Sequence, residues 1–209
     1  MSTIRRLSDS CLLVTTGDAT TLIDPGFHTF DSGEVDLATV GDVQTVLITH
    51  EHADHVKPEF VRWLLDRGAD VTVHANPAVA GLLTGHGIEA DTGAPAAVSF
   101  EDVVHEVIPT GAAPPNRAWT IERVLTHPGD SYQPSTSAPV LALPLMAPWG
   151  STTASVEFAR RLSPTWVVPI HDFYLSASGR AWVGGVAKSA LADDGIEVVT
   201  LDWGESFTV

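Results

Sequence analysis

Apolar and polar positions along the chain follow two spacings, one typical of β-strands and one typical of amphipathic helices. A continuous β-branched apolar run over residues 43–50 is typical of a strand buried on both faces. The patterns in the first part of the chain predict strands over 11–16, 20–24, 43–50 and 70–75, and helices over 57–68 and 76–87, the second capped by Asn76.

The remainder of the chain repeats a mixture of strands and helices. Between Ile88 and Tyr132 the pattern is β-rich and predicts no helix, with strands over 96–100, 103–109 and 119–127. Strands over 138–146 and 164–171, helices over 151–162 and 180–195, and two closing strands over 196–209 follow. Two such mixed blocks predict two β-sheets packed face to face with helices outside, which is a four-layer αβ/βα sandwich.

Length and composition favour one globular domain that comprises residues 1–209. The 209 residues are 44% hydrophobic, which is enough to form a full core. The longest apolar runs are too short and too rich in proline to cross a bilayer, and the N-terminus has no apolar segment of the secretory type. We therefore expect a cytoplasmic protein with no membrane partner.

Charge and cysteine content restrict the partners and the metal chemistry. Eleven Lys and Arg against 26 Asp and Glu give a net charge of −15, which disfavours nucleic acid and favours a small-molecule substrate. Cys11 is the single cysteine, so any metal must be held by nitrogen and oxygen. The sequence does not indicate an oligomeric state.

The strand over 43–50 ends in the motif His-x-His-x-Asp-His, formed by His50, His52, Asp54 and His55. Residues two apart in an extended chain point the same way, so the first two imidazoles can meet at one point. Asp54 and His55 lie just beyond, where the chain turns. One loop can thus serve two adjacent metal positions. The alternative, a solvated polar loop, is hard to reconcile with four metal-type ligands directly after a buried strand.

This motif resembles the signature of the metallo-β-lactamase superfamily, whose fold is the αββα sandwich. The resemblance continues along the chain in order, through "DSCLLVTTGDATTLIDPG", "LTHPGDSY" and "VVPIHDF". The pattern is most similar to the branch of small stand-alone metal-dependent hydrolases that includes L-ascorbate 6-phosphate lactonase.

The resemblance implies six metal ligands divided between two sites. They are His50 and His52 in the first site, Asp54, His55 and His171 in the second, and Asp130 as the bridging carboxylate. It also implies one or two Zn²⁺ per chain, with Mn²⁺ as an alternative, and a metal-bound hydroxide that Asp54 helps to orient. The expected activity is hydrolysis of a small ester, lactone or phosphoester. The alternative is a metal-binding or non-catalytic regulatory protein on the same scaffold.

One family ligand has no obvious counterpart. The family's third histidine of the first site falls near Thr110 or Gly111 here, so the sequence predicts a single-metal or unequally occupied centre. His105 and His127 are the other candidates, but His105 lies five residues early. His127 matches a family histidine that is not usually a ligand and is more simply interpreted as a hydrogen-bond donor to Asp130.

Further positions have weaker signals. Asp24 is expected to support the metal loop through hydrogen bonds, and Asp9 stands where the branch often has histidine. Trp149 and Tyr174 are candidates for a substrate pocket, with core packing as the commoner fate of such residues. Core packing is expected for Trp119, Trp166 and Trp182, and packing or surface positions are expected for His28, His74 and His86.

Overall fold

The structure is a computed structural model that describes residues 1–67, 70–109 and 111–209. These residues form two compact units. The first comprises residues 1–96 and 202–209, and the second comprises residues 97–201. None of the helices in the described ranges combines the length and the apolar character that crossing a membrane requires.

The first unit is built on a six-stranded mixed sheet. Its strands are β1 (Ser2–Ser8), β2 (Cys11–Thr16), β3 (Ala19–Ile23), β4 (Thr45–Ile48), β5 (Thr72–Ala75) and β12 (Ser206–Thr208). Their order is β12-β1-β2-β3-β4-β5. The pairs from β12 to β3 are antiparallel, whereas β3, β4 and β5 run parallel.

Three helices accompany this sheet, namely α1 (Phe27–Asp31), α2 (Pro58–Arg67) and α3 (Pro77–Gly85). A short 3₁₀ turn covers Leu37–Thr39. The Asn76 side chain accepts hydrogen bonds from the backbone N–H groups of Ala78 and Val79, so it caps α3 as predicted. Strand β4 and the apolar faces of α2 and α3 contribute to one buried core, which includes Val46, Phe60 and Leu83.

The second unit contains another six-stranded mixed sheet. Its strands are β6 (Val98–Val104), β7 (Pro115–Ile121), β8 (Leu125–His127), β9 (Val140–Pro144), β10 (Trp166–Ile170) and β11 (Glu197–Val198). Their order is β11-β10-β9-β8-β7-β6. The pairs β6–β7 and β7–β8 are antiparallel, and the strands from β8 to β11 are parallel.

Helices α4 (Thr152–Leu162) and α5 (Ala177–Leu191) belong to this unit. Ser151 and Ser176 cap them, because each side chain accepts a hydrogen bond from a backbone N–H of the first turn. A 3₁₀ turn over Ala192–Asp194 follows α5. The fully apolar strand β9 and the inner faces of both helices form the core of this unit.

Some predicted boundaries differ from the observed ones. The two strands predicted over 96–100 and 103–109 are one strand, β6, which ends at Val104. The strand predicted over 119–127 is instead split between β7 and β8, because the chain turns at Glu122–Val124 with Arg123 at a φ of 60°. Apolar residues on both sides of a tight turn gave the same pattern as one continuous strand.

Candidate functional site

The first two histidines of the motif, His50 and His52, follow strand β4 in the first unit. His50 lies two residues past the end of this strand and is fully buried. Its Nε2 atom lies 3.0 Å from His52 Nδ1, and the two rings are nearly perpendicular at 78°. Zn–N bonds of 2.0–2.1 Å place two tetrahedral ligands about 3.4 Å apart. The two nitrogens therefore have a separation suited to sharing one cation.

Asp54 and His55 follow where the chain turns back on itself. The backbone N–H groups of His55 and Val56 both donate to the carbonyl of His52, which closes the turn. His55 Nε2 lies 3.8 Å from Asp54 Oδ2. The His55 side chain is buried, whereas 24% of the Asp54 side chain is exposed. Asp54 is thus the member of this pair that a reacting water can reach.

Asp24 supports this loop through hydrogen bonds, as the sequence predicted. Its Oδ1 accepts the Thr49 backbone N–H at 2.8 Å, and its Oδ2 accepts the Thr49 hydroxyl at 2.8 Å. The same Oδ2 lies 2.7 Å from His55 Nδ1. A carboxylate at this nitrogen places the ring proton on Nδ1 and leaves the Nε2 lone pair as the metal-binding atom.

Gly26 allows a close approach between the Asp24 turn and the histidine loop. A Cβ atom at this position would lie 1.7 Å from the carbonyl oxygen of Asp54. The neighbouring Phe27 N–H donates to the carbonyl of Ala53 at 2.9 Å. Only a residue without a side chain fits here, so Gly26 fixes the position of the backbone that carries Asp54.

Asp130 is the corresponding acidic centre of the second unit, three residues after β8. It is buried, with 1% of its surface exposed. Its backbone N–H donates to the Asn116 side chain at 3.2 Å, and its carbonyl accepts the Glu106 N–H at 2.8 Å. Asn116 also donates to the carbonyl of Pro128. The "PGDS" turn is therefore held from two neighbouring segments.

Two histidines lie against one oxygen of this carboxylate. Asp130 Oδ2 is 3.4 Å from His105 Nε2 and 3.3 Å from His171 Nε2. His105 Nδ1 lies 2.6 Å from the carbonyl of Glu106 and donates its proton there, so Nε2 faces Asp130 without a proton. His171 follows β10 directly and has a φ of 62°. Both separations match those of two ligands on one metal ion.

The position of His105 corrects the prediction of a missing histidine. That prediction was wrong because β6 ends at Val104, so His105 is the first residue past its strand. Counting along a supposed strand over 103–109 placed the third ligand too late, near Thr110, which lies outside the described residues. The hypothesis of a single-metal or unequally occupied centre rested on a missing third histidine, and His105 removes that reason for it.

Asn116 is a neighbour of Asp130 that the sequence did not identify, and Trp149 was identified only as a candidate for a substrate pocket. The Trp149 indole N–H donates to Asp130 Oδ2 at 2.9 Å. His127 accepts the backbone N–H of Gly129 at 3.2 Å, and its role as a hydrogen-bond donor to Asp130 stays a prediction. No spacing rule connects Asn116 or Trp149 with Asp130, because the contacts arise where separate segments of the chain meet.

The other singled-out residues have varied positions. Trp119 is fully buried, Trp166 donates to Glu197, and Tyr174 and Trp182 are 81% and 71% exposed. His74 contacts Thr72 and Gly93, and His86 ends α3, which agrees with packing or surface roles. Asp9 and His28 are both buried, with Asp9 Oδ2 3.8 Å from His28 Nε2.

The donor set in both units fits a divalent cation such as zinc. In the first unit the histidine nitrogens lie within 4.8 Å of each other, as do the ligand atoms of Asp54 and His55. In the second unit the same limit holds for His105 and Asp130. Burial raises the pKa of the Cys11 thiol, so this side chain stays protonated and is no thiolate ligand.

Comparison with protein families and curated proteins supports the sequence resemblance. Residues 3–171 match the model of the β-lactamase superfamily domain. Protein Rv0786c of Mycobacterium tuberculosis is 29% identical over 186 residues, which are 82% of this chain and 84% of that protein.

Solved structures agree on the fold. A protein of Parabacteroides distasonis named as a metal-dependent hydrolase is 22% identical, with a TM-score of 0.72 over 94% of this chain and 91% of its own. Igni18, a metallo hydrolase of Ignicoccus hospitalis, is 17% identical, with a TM-score of 0.72 over 100% of both chains. These likenesses confirm the predicted fold class, whereas the ascorbate-lactonase branch stays a prediction.

Proposed function

Because the chain belongs to the β-lactamase superfamily, we propose that it is a metal-dependent hydrolase that cleaves a small ester, lactone or phosphoester. The observation that carries the proposal is the approach of Asp130 Oδ2 to both His105 Nε2 and His171 Nε2, at 3.4 and 3.3 Å. A carboxylate oxygen close to two histidines would suit a position shared by two cations.

The proposed ligands are those that the family resemblance implies, with one addition. The addition is His105, on the evidence of its 3.4 Å separation from Asp130. The full set is His50, His52, Asp54, His55, His105, Asp130 and His171. We propose Zn²⁺ as the metal, since imidazole and carboxylate are ligands that it accepts, with Mn²⁺ as the alternative.

The protein side chains have separable roles in this proposal. A bound divalent metal supplies Lewis acidity and lowers the pKa of water. Asp54, which is partly exposed, accepts a hydrogen bond from the attacking water and orients it toward the substrate carbon or phosphorus. Asp24 and Thr49 keep the His55 ring in the tautomer that leaves Nε2 available.

Apolar loops in the second unit support an ester or lactone over a phosphoester. Strands β9 and β10 are parallel, with Pro144 opposite Ile170, so the loops that follow them leave the sheet at the same edge. Met146 and Tyr174 on these loops are 41% and 81% exposed and carry no charge. The same two loops carry Trp149 and His171, which contact Asp130, so exposed apolar side chains on these loops favour a substrate with an apolar group.

The overall charge supports a small molecule as the substrate. A net charge of −15 repels polyanions, so a small molecule is a better substrate than nucleic acid. A cytoplasmic location and the absence of a membrane partner remain proposals from the sequence.

Hydrolysis assays with a panel of aryl esters, lactones and phosphodiesters, with added Zn²⁺ or Mn²⁺, test the function. We expect turnover of an ester or lactone, and we expect Asp54→Ala to abolish it while the protein still folds. Asp36→Ala is the matched control, because Asp36 is exposed and caps only a 3₁₀ turn. Metal binding without turnover of any substrate class would instead support the non-catalytic alternative.

A further inference from the structure

The Asp130 carboxylate has a hydrogen-bond donor that the proposed ligand set does not include. Trp149 Nε1 lies 2.9 Å from Asp130 Oδ2, the same oxygen that faces His105 and His171. An indole N–H donates and never accepts, so this contact has one polarity at every pH. It favours one rotation of the carboxylate plane.

The Trp149 ring also contacts both histidines of the second unit. Its centroid lies 5.5 Å from that of His171, at 79°, and 6.0 Å from that of His105, at 66°. These are edge-to-face arrangements, which aromatic rings prefer. The Trp149 side chain thus contacts all three proposed metal ligands of this unit, Asp130, His105 and His171.

The indole is held in place by a second group of contacts. Tyr132 packs against it with a centroid separation of 5.3 Å. The Tyr132 hydroxyl lies 2.9 Å from the Ser155 hydroxyl on α4, and it donates to the carbonyl of Pro144.

Gly150 completes this support. A Cβ atom at Gly150 would lie 2.4 Å from the Tyr132 hydroxyl oxygen, so the loop after β9 can approach Tyr132 only because this residue is glycine. Ser155, Tyr132 and Trp149 therefore form a continuous contact path from helix α4 to Asp130.

We propose that Trp149 is a positioning residue that orients the Asp130 carboxylate for metal binding through its indole N–H. The inference rests on the proposed function, since it assigns Asp130 as a metal ligand. Hydrogen bonds to a ligating carboxylate fix its direction before the metal arrives, and losing them typically lowers metal affinity. The Trp149 ring alone, without the N–H, does not supply this effect.

Two substitutions separate the N–H from the ring. Trp149→Phe keeps an aromatic ring and removes the donor. Trp149→Gln removes the ring but carries an N–H donor at the same number of bonds from Cβ. The matched control is Trp166→Phe, because Trp166 also donates its indole N–H to a carboxylate, that of Glu197, at 3.1 Å, on the strand pair β10–β11.

The experiment is a Zn²⁺ titration of chelator-treated protein by calorimetry, with circular dichroism to verify that each variant folds. We expect Trp149→Phe to weaken Zn²⁺ binding about 10- to 100-fold. We expect Trp149→Gln to recover most of that loss, and Trp166→Phe to bind as the wild type does. Unchanged affinity in Trp149→Phe, or equal losses in both Trp149 variants, would overturn the inference.

The outcomes also separate this inference from the proposed function. Wild-type protein that binds no Zn²⁺ would remove the metal-dependent hydrolase and the inference together. Wild-type protein that binds Zn²⁺ with the same affinity as Trp149→Phe would remove only the role of Trp149.

Discussion

Asp24 shows how one buried carboxylate can organise a metal loop without being a ligand. It accepts hydrogen bonds from the backbone and the hydroxyl of Thr49 and holds His55 Nδ1 at 2.7 Å. Asn76 donates to the carbonyl of Thr49 from the start of α3 and so supports the same segment. The direction of His55 is thus set by residues outside the His-x-His-x-Asp-His motif.

We predict that Asp24→Asn weakens Zn²⁺ binding about 10- to 100-fold, because the amide no longer favours the Nδ1–H tautomer of His55. The metal-free protein should lose about 1–3 kcal/mol of stability, since a buried charge-assisted hydrogen bond is lost. Calorimetric Zn²⁺ titration and urea unfolding measure the two effects.

Asp36→Asn is a suitable control for this prediction, because Asp36 also accepts a backbone N–H but in an exposed turn. If Asp24→Asn bound Zn²⁺ as tightly as this control, Asp24 would have no role in orienting His55.

At the residue scale, the sequence identified ligands where they are close together in the chain or directly end a strand. His50, His52, Asp54 and His55 lie in one short motif, and His171 ends an apolar strand. Asn116 carries no such signal, and Trp149 was singled out only as a candidate for a substrate pocket. Their contacts with Asp130 depend on the paths of separate segments, which spacing along the chain does not encode.

At the scale of elements, the loop between β3 and α1 determines where the histidine loop lies. Gly26 sits against the backbone of Asp54, and the N–H of Lys57 donates to the carbonyl of Pro25 at 2.9 Å. These contacts connect the start of α2 with the end of β3. The His-x-His-x-Asp-His motif lies between these two points, so its segment is held at both ends.

We predict that Gly26→Ala destabilises the protein by about 1–3 kcal/mol, because its Cβ would meet the carbonyl of Asp54 and force the loop to shift. Gly81→Ala is the control, since Gly81 is an exposed position of helix α3 where a Cβ meets nothing within 4 Å. The control should gain about 0.5–1 kcal/mol from better helix propensity. Thermal unfolding of both variants measures the difference, and equal stability would refute the tight approach.

Element types were predicted well where the periodicity is clear, and boundaries were predicted poorly where it is not. The doubly apolar strands β4, β9 and β10 and the capped helices α3 and α4 were all predicted. The end of β6 at Val104 was not, because apolar residues recur at Val107 and Ile108 beyond the last strand residue. This boundary error made His105 look five residues early, so it was ranked as a weak ligand candidate.

At the scale of the whole molecule, charge and metal binding are linked. The chain has a net charge of −15, and two of the seven proposed ligands, Asp54 and Asp130, are carboxylates. Mutual repulsion of negative groups destabilises a compact state, and a bound dication reduces it.

We predict that Zn²⁺ at 100 times its Kd stabilises the protein by about 2.7 kcal/mol through binding to the folded state. For a chain of this size the melting temperature should rise by about 5–10 °C. Differential scanning fluorimetry with and without a chelator measures the shift.

Mg²⁺ at the same concentration is the control for charge screening, because Mg²⁺ prefers oxygen ligands and keeps several waters. An equal shift with both ions would indicate screening of surface charge in place of a defined site.

The matching strand orders of the two sheets have a further consequence. In β1 to β5 and again in β6 to β10, two antiparallel pairings are followed by two parallel ones. In both, a Pro-Gly turn with an aspartate follows the third strand, at Asp24 and at Asp130. This is the trace that duplication of one ancestral segment would leave. In such a history the two Pro-Gly turns began as equivalents, although the aspartate precedes the turn at Asp24 and follows it at Asp130.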